Sequence, residues 1–292
     1  MKNNLLALAK EKTVIFDGAM GTMLMAAGLS QGEPPELWNL EKPSVIMNIH
    51  KQYFEAGADV VHTNTFGGNS LKLADKGLTE KMGLLNSAAA KMAAEVCPEG
   101  KFVAGDIGPS GKMIKPFGDV DLEEMEEAFY GQANALMSGG VDLISIETMF
   151  SLEEALAALR SAKKVGGILV VVSITYTRTK KGFFTMMGEG VIQCVSALED
   201  AGADVIAANC TLGSKDMIDL AKQIRVCTKK PILIQPNAGK PVIRNGVTHY
   251  QQTPSEFAHD GKDIKEAGAD MVGGCCGTTP EFIRELAKVL CQ

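Results

Sequence analysis

The chain has 292 residues, of which 46% are hydrophobic and 22% charged, an ordinary globular balance that excludes a disordered or collagen-like chain. A net charge of −6, with lysine pairs such as Lys163-Lys164 and Lys180-Lys181 short and scattered, argues against a nucleic-acid surface. No apolar run approaches the roughly 20 residues that cross a bilayer. The opening stretch Met1–Lys12 lacks both the long apolar core and the cleavage site of a secretory leader, so it reads as a short helix and the protein is expected in the cytoplasm.

In chain order, short β-rich runs bounded by turn residues appear at Thr13–Phe16, Asp59–Thr63, Phe102–Ala104, Leu143–Ile146, Ile168–Ile174, Val205–Ala208, Ile232–Ile234 and Met271–Gly273. Several are apolar almost throughout, as parallel strands covered on both faces must be. Between them lie amphipathic stretches of helical length, among them Ser44–Ala56, Leu122–Ser138, Leu152–Val165 and Pro254–Ala267. Helices close on a recurring turn: Ala-Gly-Ala-Asp at 56–59, 201–204 and 267–270, and Gly-Gly-Val-Asp at 139–142. Glycine suits the left-handed residue after a helix, so the same αβ connection is being rebuilt around the chain. The pattern predicts an α/β protein, one (β/α)₈ TIM barrel spanning residues 1–292 as a single domain. An open doubly wound sheet is the competing layout. Its G-x-G-x-x-G fingerprint is replaced here by Asp17-Gly18-Ala19-Met20-Gly21-Thr22, with the wrong spacing.

In a barrel the segments after the strands share one face, and that face carries the chemistry. Those segments include Asp17-Gly18, Asn64-Thr65-Phe66, Gly105-Asp106-Ile107-Gly108-Pro109, Glu147-Thr148, Asn209-Cys210, Gln235-Pro236-Asn237 and Gly274-Cys275-Cys276-Gly277. Seven cysteines in a cytoplasmic chain do not read as a disulfide framework. Cys97, Cys194, Cys227 and Cys291 share no motif, whereas Cys210, Cys275 and Cys276 all follow strands. Adjacent side chains on a plain strand point to opposite faces, but the flanking glycines allow a bend that turns Cys275 and Cys276 to one centre. A single such cysteine reads more readily as a small buried hydrophobe. Three together, with no fourth protein ligand in view, suit a catalytic zinc with one open position. A free thiol with a pKa near 8.5 is mostly protonated at neutral pH, and metal coordination holds it as the nucleophilic thiolate. Asp17 and Glu147 end apolar strands, an expensive place for an unpaired acid, where each either binds a substrate or caps a helix. The methionines at 20, 23, 25, 186 and 187 fall near the same face and offer adaptable packing. His50 and His259 read as surface or boundary residues of helices, and His62 as a core histidine.

Gly273-Gly274-Cys275-Cys276-Gly277-Thr278-Thr279-Pro280, with the segments at 17–22, 63–66, 105–109, 209–210 and 236–239, resembles the homocysteine S-methyltransferase family over residues 12 to 290. The closing motif is most similar to the homocysteine-binding module of cobalamin-dependent methionine synthases. The resemblance implies methyl transfer to the thiol of homocysteine, with Cys210, Cys275 and Cys276 as zinc ligands. It implies that Asp17 and Glu147 hold the substrate ammonium, that backbone amides near Gly18 and Thr65 face its carboxylate, and that Asn237 lies near the metal. Gln235 departs from the Glu that relatives often carry before Pro236. With no cobalamin-binding segment before the chain ends at Gln292, methylcobalamin on a separate corrinoid protein is the expected donor. S-methylmethionine or betaine is the alternative donor, and a zinc- and homocysteine-binding barrel without turnover the alternative of another class.

Overall fold

The computed structural model describes residues 5–244 and 247–290, which leaves Cys291 outside the described residues. Eight parallel strands follow chain order: β1 (Val14–Ile15), β2 (Val60–His62), β3 (Phe102–Ile107), β4 (Leu143–Met149), β5 (Leu169–Ile174), β6 (Val205–Gly213), β7 (Ile232–Asn237) and β8 (Met271–Val272). The last pairs with the first through Val14↔Met271 and Ile15↔Val272. A parallel bridge between Phe16 and Val60 joins β1 to β2, and the sheet closes on itself. A helix follows every strand, so the (β/α)₈ barrel read from the sequence is the architecture found. Four strands run past their expected ends, to Ile107, Met149, Gly213 and Asn237. The added residues include Asp, Glu and Asn, which disfavour strands by themselves and are held there by the ladder on either side. Two antiparallel hairpins rise from the strand ends, Thr177–Thr179 with Gly182–Phe184 and Pro241–Arg244 with Val247–Tyr250.

The two-residue period of the strands sorts the core. Val14, Phe16, Val60, Phe102, Leu143, Val171, Val205, Leu233 and Met271 fill the barrel interior, and Leu5 of the N-terminal helix Leu5–Glu11 packs with them. The alternating set, including Ile15, Val61, Val103, Ile144, Val172 and Ile206, packs outward against the helices. Each such side chain removed from water contributes about 1.5–3 kcal/mol.

The four Gly-x-Asp turns build one device four times. Gly57, Gly140, Gly202 and Gly268 are all left-handed, with φ between 91° and 110°. The aspartate that follows donates its N–H to a carbonyl on the preceding strand and accepts that same residue's N–H on its carboxylate. Asp59 makes this exchange with Ile15, Asp142 with Val103, Asp204 with Val170 and Asp270 with Ile232, at 2.6–3.0 Å. Burial alone would push the Asp59 carboxyl up, but hydrogen bonds from Lys101 and Lys12 override it and leave it below the usual range. Lys163 pairs with Asp204 and Arg225 with Asp270. The strand N-termini are therefore stitched in four quarters, and the opposite end is free to carry function.

His50 corrects the sequence reading. It lies on helix Pro43–Glu55 and is fully buried rather than at a surface or boundary. Its helix face is the one that packs onto the barrel, alongside Ile46, Ile49, Tyr53 and Phe54.

Candidate active site

The inward face of each strand stays apolar only over its lower half. Continuing the two-residue period from Val60, Ala104, Leu143, Val171 and Ala207 places His62, Asp106, Ser145, Glu147, Ser173 and Asn209 inward near the strand ends. Most of these are buried, and they bond to one another rather than to water.

The three cysteines meet at this end. Cys210 Sγ lies 3.8 Å from Cys276 Sγ, and Cys275 Sγ lies 4.0 Å from Cys276 Sγ. All three sulfurs fall within 4.8 Å of one another, close enough to hold one metal ion. Neither position is reached by ordinary backbone. Cys210 and Thr211 are left-handed at φ 61° and 57°, inside a register shift between β6 and β7. Such residues cost about 1–3 kcal/mol each and persist where surrounding structure insists on them. Past β8 the chain bends as its glycines allow. Cys275 N–H donates to the Pro236 carbonyl at 2.8 Å, and Ala238 N–H donates to the Cys276 carbonyl at 2.9 Å. Thr278 Oγ1 donates to the Cys275 carbonyl at 2.7 Å, and Gly277 N–H donates to Thr22 Oγ1 at 3.1 Å. The sulfurs share their charge unevenly. Hydrogen bonds from the Cys210 and Cys275 thiols hold Cys276 down at about 3. Cys210 is favoured by Cys275 but opposed by Cys276 and by burial, and is pushed up to about 12. A trio that already stabilises one thiolate is an anionic cradle for a cation.

Beside the sulfurs stand the acids. Glu147 precedes Thr148, which is left-handed at φ 59° within a second register shift, between β4 and β5. Asn209 ties the two irregular strands together. Its Oδ1 accepts from Thr148 N–H at 2.9 Å and Ser173 Oγ at 2.7 Å, and its Nδ2 donates to Glu147 and, at 3.8 Å, toward Cys275 Sγ. Asp17 does not cap a helix. Its Oδ1 meets His62 Nδ1 at 2.7 Å, its Oδ2 accepts His62 N–H at 2.8 Å, and His62 Nε2 lies 3.1 Å from Ser145 Oγ. Burial opposes a charge on His62, but Asp17 outweighs it and raises the imidazole above its ordinary value. Burial, and then the charge of Glu147, pushes the Asp106 carboxyl well up, and burial raises Glu147 as well.

The remaining expected residues separate. Thr65 is fully buried, and its N–H is taken by the Thr63 carbonyl at 2.9 Å while its Oγ1 donates to the Asp106 carbonyl at 2.7 Å. It braces β3 more than it faces a ligand. Gly18 packs where a Cβ would meet Thr278 Oγ1 at 2.7 Å, so only glycine lets the first loop lie against the cysteine loop. Asn237 is buried between Pro236 and Ala238, the two residues bonded to the cysteine loop, and its Oδ1 has no partner among the described residues. Two participants escaped the sequence reading. Asp106 was noted only as part of a motif. Tyr250, at the end of the second hairpin, lies over Gly277, where a Cβ would come within 2.3 Å of its ring, and burial and then the charge of Cys276 push its phenol up. No spacing in the sequence links a tyrosine to a motif 26 residues later.

Closed parallel barrel, three convergent thiols close enough to hold a metal ion and buried acids at the strand ends together suit a (β/α)₈ enzyme. The sequence profile of homocysteine S-methyltransferases matches residues 14–290, and the chain belongs to that family of methyltransferases. Methionine synthase from Mycobacterium leprae (strain TN) is 32% identical over 305 residues, covering 99% of this chain and 25% of its own length. That from Mycobacterium tuberculosis (strain ATCC 25618 / H37Rv) is 32% identical over 303 residues, with 98% and 25% covered. The chain thus spans about a quarter of the length of these relatives. Among solved structures, the homocysteine methyltransferase MmuM from Escherichia coli in its metallated form superposes with a TM-score of 0.80 at 22% identity, covering 97% of this chain and 98% of that one. A methyltransferase from Methanosarcina mazei gives 0.63 at 14% identity, with 99% and 97% covered. At those identities the two structures support the fold.

Proposed function

We propose that this protein transfers a methyl group to the thiol of L-homocysteine, giving methionine, with zinc held by Cys210, Cys275 and Cys276. The observation that carries the reading is the sulfur geometry. Ligands about 2.3 Å from a tetrahedral zinc stand about 3.8 Å apart, close to the 3.8 and 4.0 Å found between these thiols. Bound zinc would supply a fourth position at which an incoming thiol stays deprotonated at neutral pH. The chain's own residues supply the rest. Asn209 fixes Glu147 and Cys275 relative to each other, and the Tyr250 ring packs against Gly277, the neighbour of Cys276. Glu147 and the acids beside it offer negative charge to a substrate ammonium, and the unpartnered Asn237 Oδ1 stands next to the cysteine loop.

The methyl donor in this reading is a methylcorrinoid, methylcobalamin or a close relative, carried on a separate protein. Support comes from the likeness to methionine synthases over one quarter of their length. It comes also from apolar side chains exposed on segments that follow the strands, including Met25, Phe117 and Met186. A corrinoid is too large for a barrel filled with side chains, so it must meet the substrate above the strand ends. Among the described residues no helix is long and apolar enough to cross a membrane.

The test is to supply zinc-loaded protein with homocysteine and, separately, methylcobalamin, S-methylmethionine and betaine, and to measure methionine. Slow turnover with methylcobalamin, much faster with a corrinoid carrier, is expected. Efficient turnover with S-methylmethionine alone would assign the small-molecule donor, and homocysteine binding without methionine from any donor would leave a binding barrel.

A further inference from the structure

Cys210 lies where the ladder between β6 and β7 loses register, between the pairs Asn209↔Gln235 and Gly213↔Asn237. Regular sheet pairing therefore does not fix this sulfur. The residue after the break, Ser214, is 1% exposed and is gripped by two other polar side chains. Ser214 Oγ donates to Asp260 Oδ2 at 2.6 Å, and Gln252 Nε2 donates to Ser214 Oγ at 2.6 Å and to Asp260 Oδ2 at 2.8 Å. Asp260 is buried on helix Pro254–Glu266. Each member of the trio bonds to both others, so none can turn without breaking two contacts. Gln252 Oε1 accepts from no described residue, which makes the amide nitrogen the working end.

The backbone of Gln252 is tied to the other two sulfurs. Its N–H donates to the Ala238 carbonyl at 3.2 Å, and Ala238 N–H donates to the Cys276 carbonyl at 2.9 Å. Tyr250, on the same return strand of the hairpin, rests on Gly277. Gly239 makes the close approach possible: it is left-handed at φ 85°, and a Cβ there would meet the Gln252 Cβ at 3.2 Å.

We propose that Gln252, acting through Ser214 and Asp260, is a positioning residue for the metal. Its side chain holds the segment after Cys210, its backbone holds the Cys275–Cys276 loop, and the three sulfurs stay within reach of one ion. The inference rests on the zinc reading of the trio, but concerns a residue outside it. An ion leaves such a site by shedding its ligands in turn, and Cys210 is the ligand on a separate segment. Once that sulfur swings away, only the adjacent pair remains. Ligands fixed in advance lose less freedom on binding, and partners behind the ligands set how firmly a metal is kept.

The experiment follows zinc release from the loaded protein to excess chelator, with the thermal midpoint of the metal-free protein as the measure of folding. Gln252→Leu leaves Ser214 and Asp260 bonded to each other, so the midpoint should hold while release quickens about tenfold or more. Gln252→Glu sets two carboxyls together and should also quicken release. Adding Asp260→Asn re-forms the clasp with donor and acceptor exchanged and should slow it again. Ile243→Ser, at a 75% exposed position of the same hairpin, should change nothing. A second measurement needs no metal. Dibromobimane bridges neighbouring thiols, and peptide mapping reads the link from Cys210 to the Cys275–Cys276 pair, whose yield should fall in Gln252→Leu. Wild-type release and wild-type cross-linking in Gln252→Leu would overturn the inference. So would release that quickens only in step with a lost midpoint, or a double variant no slower than Gln252→Glu. If the wild type takes up no zinc while Gln252→Leu still loses the cross-link, the positioning role stands and the zinc reading alone falls.

Discussion

At the scale of single residues, the cysteine trio gives the sharpest expectation. Replacing Cys276 by Ala removes the sulfur that the other two thiols hydrogen-bond, so zinc content should fall from about one per chain to well below it while the circular dichroism of the barrel persists. Full metal content in that variant would remove the assignment. His50 predicts a pH effect on stability. Burial, helped by the charge on His62, depresses its pKa to about 4, and neither ring nitrogen has a partner among the described residues. A folded-state value below the unfolded one of about 6.5 means that the contribution of neutral His50 is complete above pH 6.5 and is lost as pH falls toward 4. The largest loss is roughly 3 kcal/mol. His62 runs the other way: its raised value means that the pairing with Asp17 contributes fully below about pH 6.5 and fades as pH rises past its folded-state value. His50→Leu should therefore flatten the acid limb of the melting profile between pH 6.5 and 4. An unchanged slope would show that His50 finds a proton acceptor when charged.

At the scale of elements, the four αβ turns let backbone strain be separated from packing. Gly140 and Gly57 are both left-handed, but a Cβ at 140 meets nothing within 4 Å, whereas at 57 it would lie 2.7 Å from the Ala287 Cβ. Gly140→Ala should cost about 1–2 kcal/mol from the left-handed conformation alone. Gly57→Ala should cost measurably more, because helix Pro280–Leu290 must also move. Equal losses in urea unfolding would mean that the helix yields freely. These turns were legible beforehand because glycine, a small neighbour and aspartate each have a local reason to be there. The strands were legible for the same reason, since an alternating apolar run carries its own periodicity. The bulges were not. Thr148, Cys210 and Thr211 are left-handed without being glycine, and what holds them is Asn209 and the neighbouring ladder, which no local pattern encodes. The sulfur cluster could be anticipated because the ends of β6 and β8 had to share one face. Asp106, Tyr250 and the Asp17–His62 pairing depend on which side chains cross the barrel, and chain order alone is silent on that.

At the scale of the whole molecule, function and stability occupy opposite ends. Phe117 and Met186, 71% and 76% exposed, belong to segments following β3 and β5, on the same end as the sulfurs. If a carrier docks there, the double substitution Phe117→Glu and Met186→Glu should reduce kcat/KM for the carrier-borne corrinoid about tenfold or more. Turnover with free methylcobalamin should be little changed, and equal losses with both donors would return these residues to the barrel itself. The far end has a consequence of another kind. Four backbone amides, at Ile15, Val103, Val170 and Ile232, bond to carboxylates rather than to carbonyls, and they are spaced one per quarter around the barrel. The resonance of an amide proton moves when the carboxylate it faces takes up a proton, so each quarter carries its own spectroscopic reporter. Acidification followed by NMR would show whether the closed barrel loosens all at once or opens first along one seam, with the lysine-clamped Asp59 reporter responding only below the usual carboxylate range.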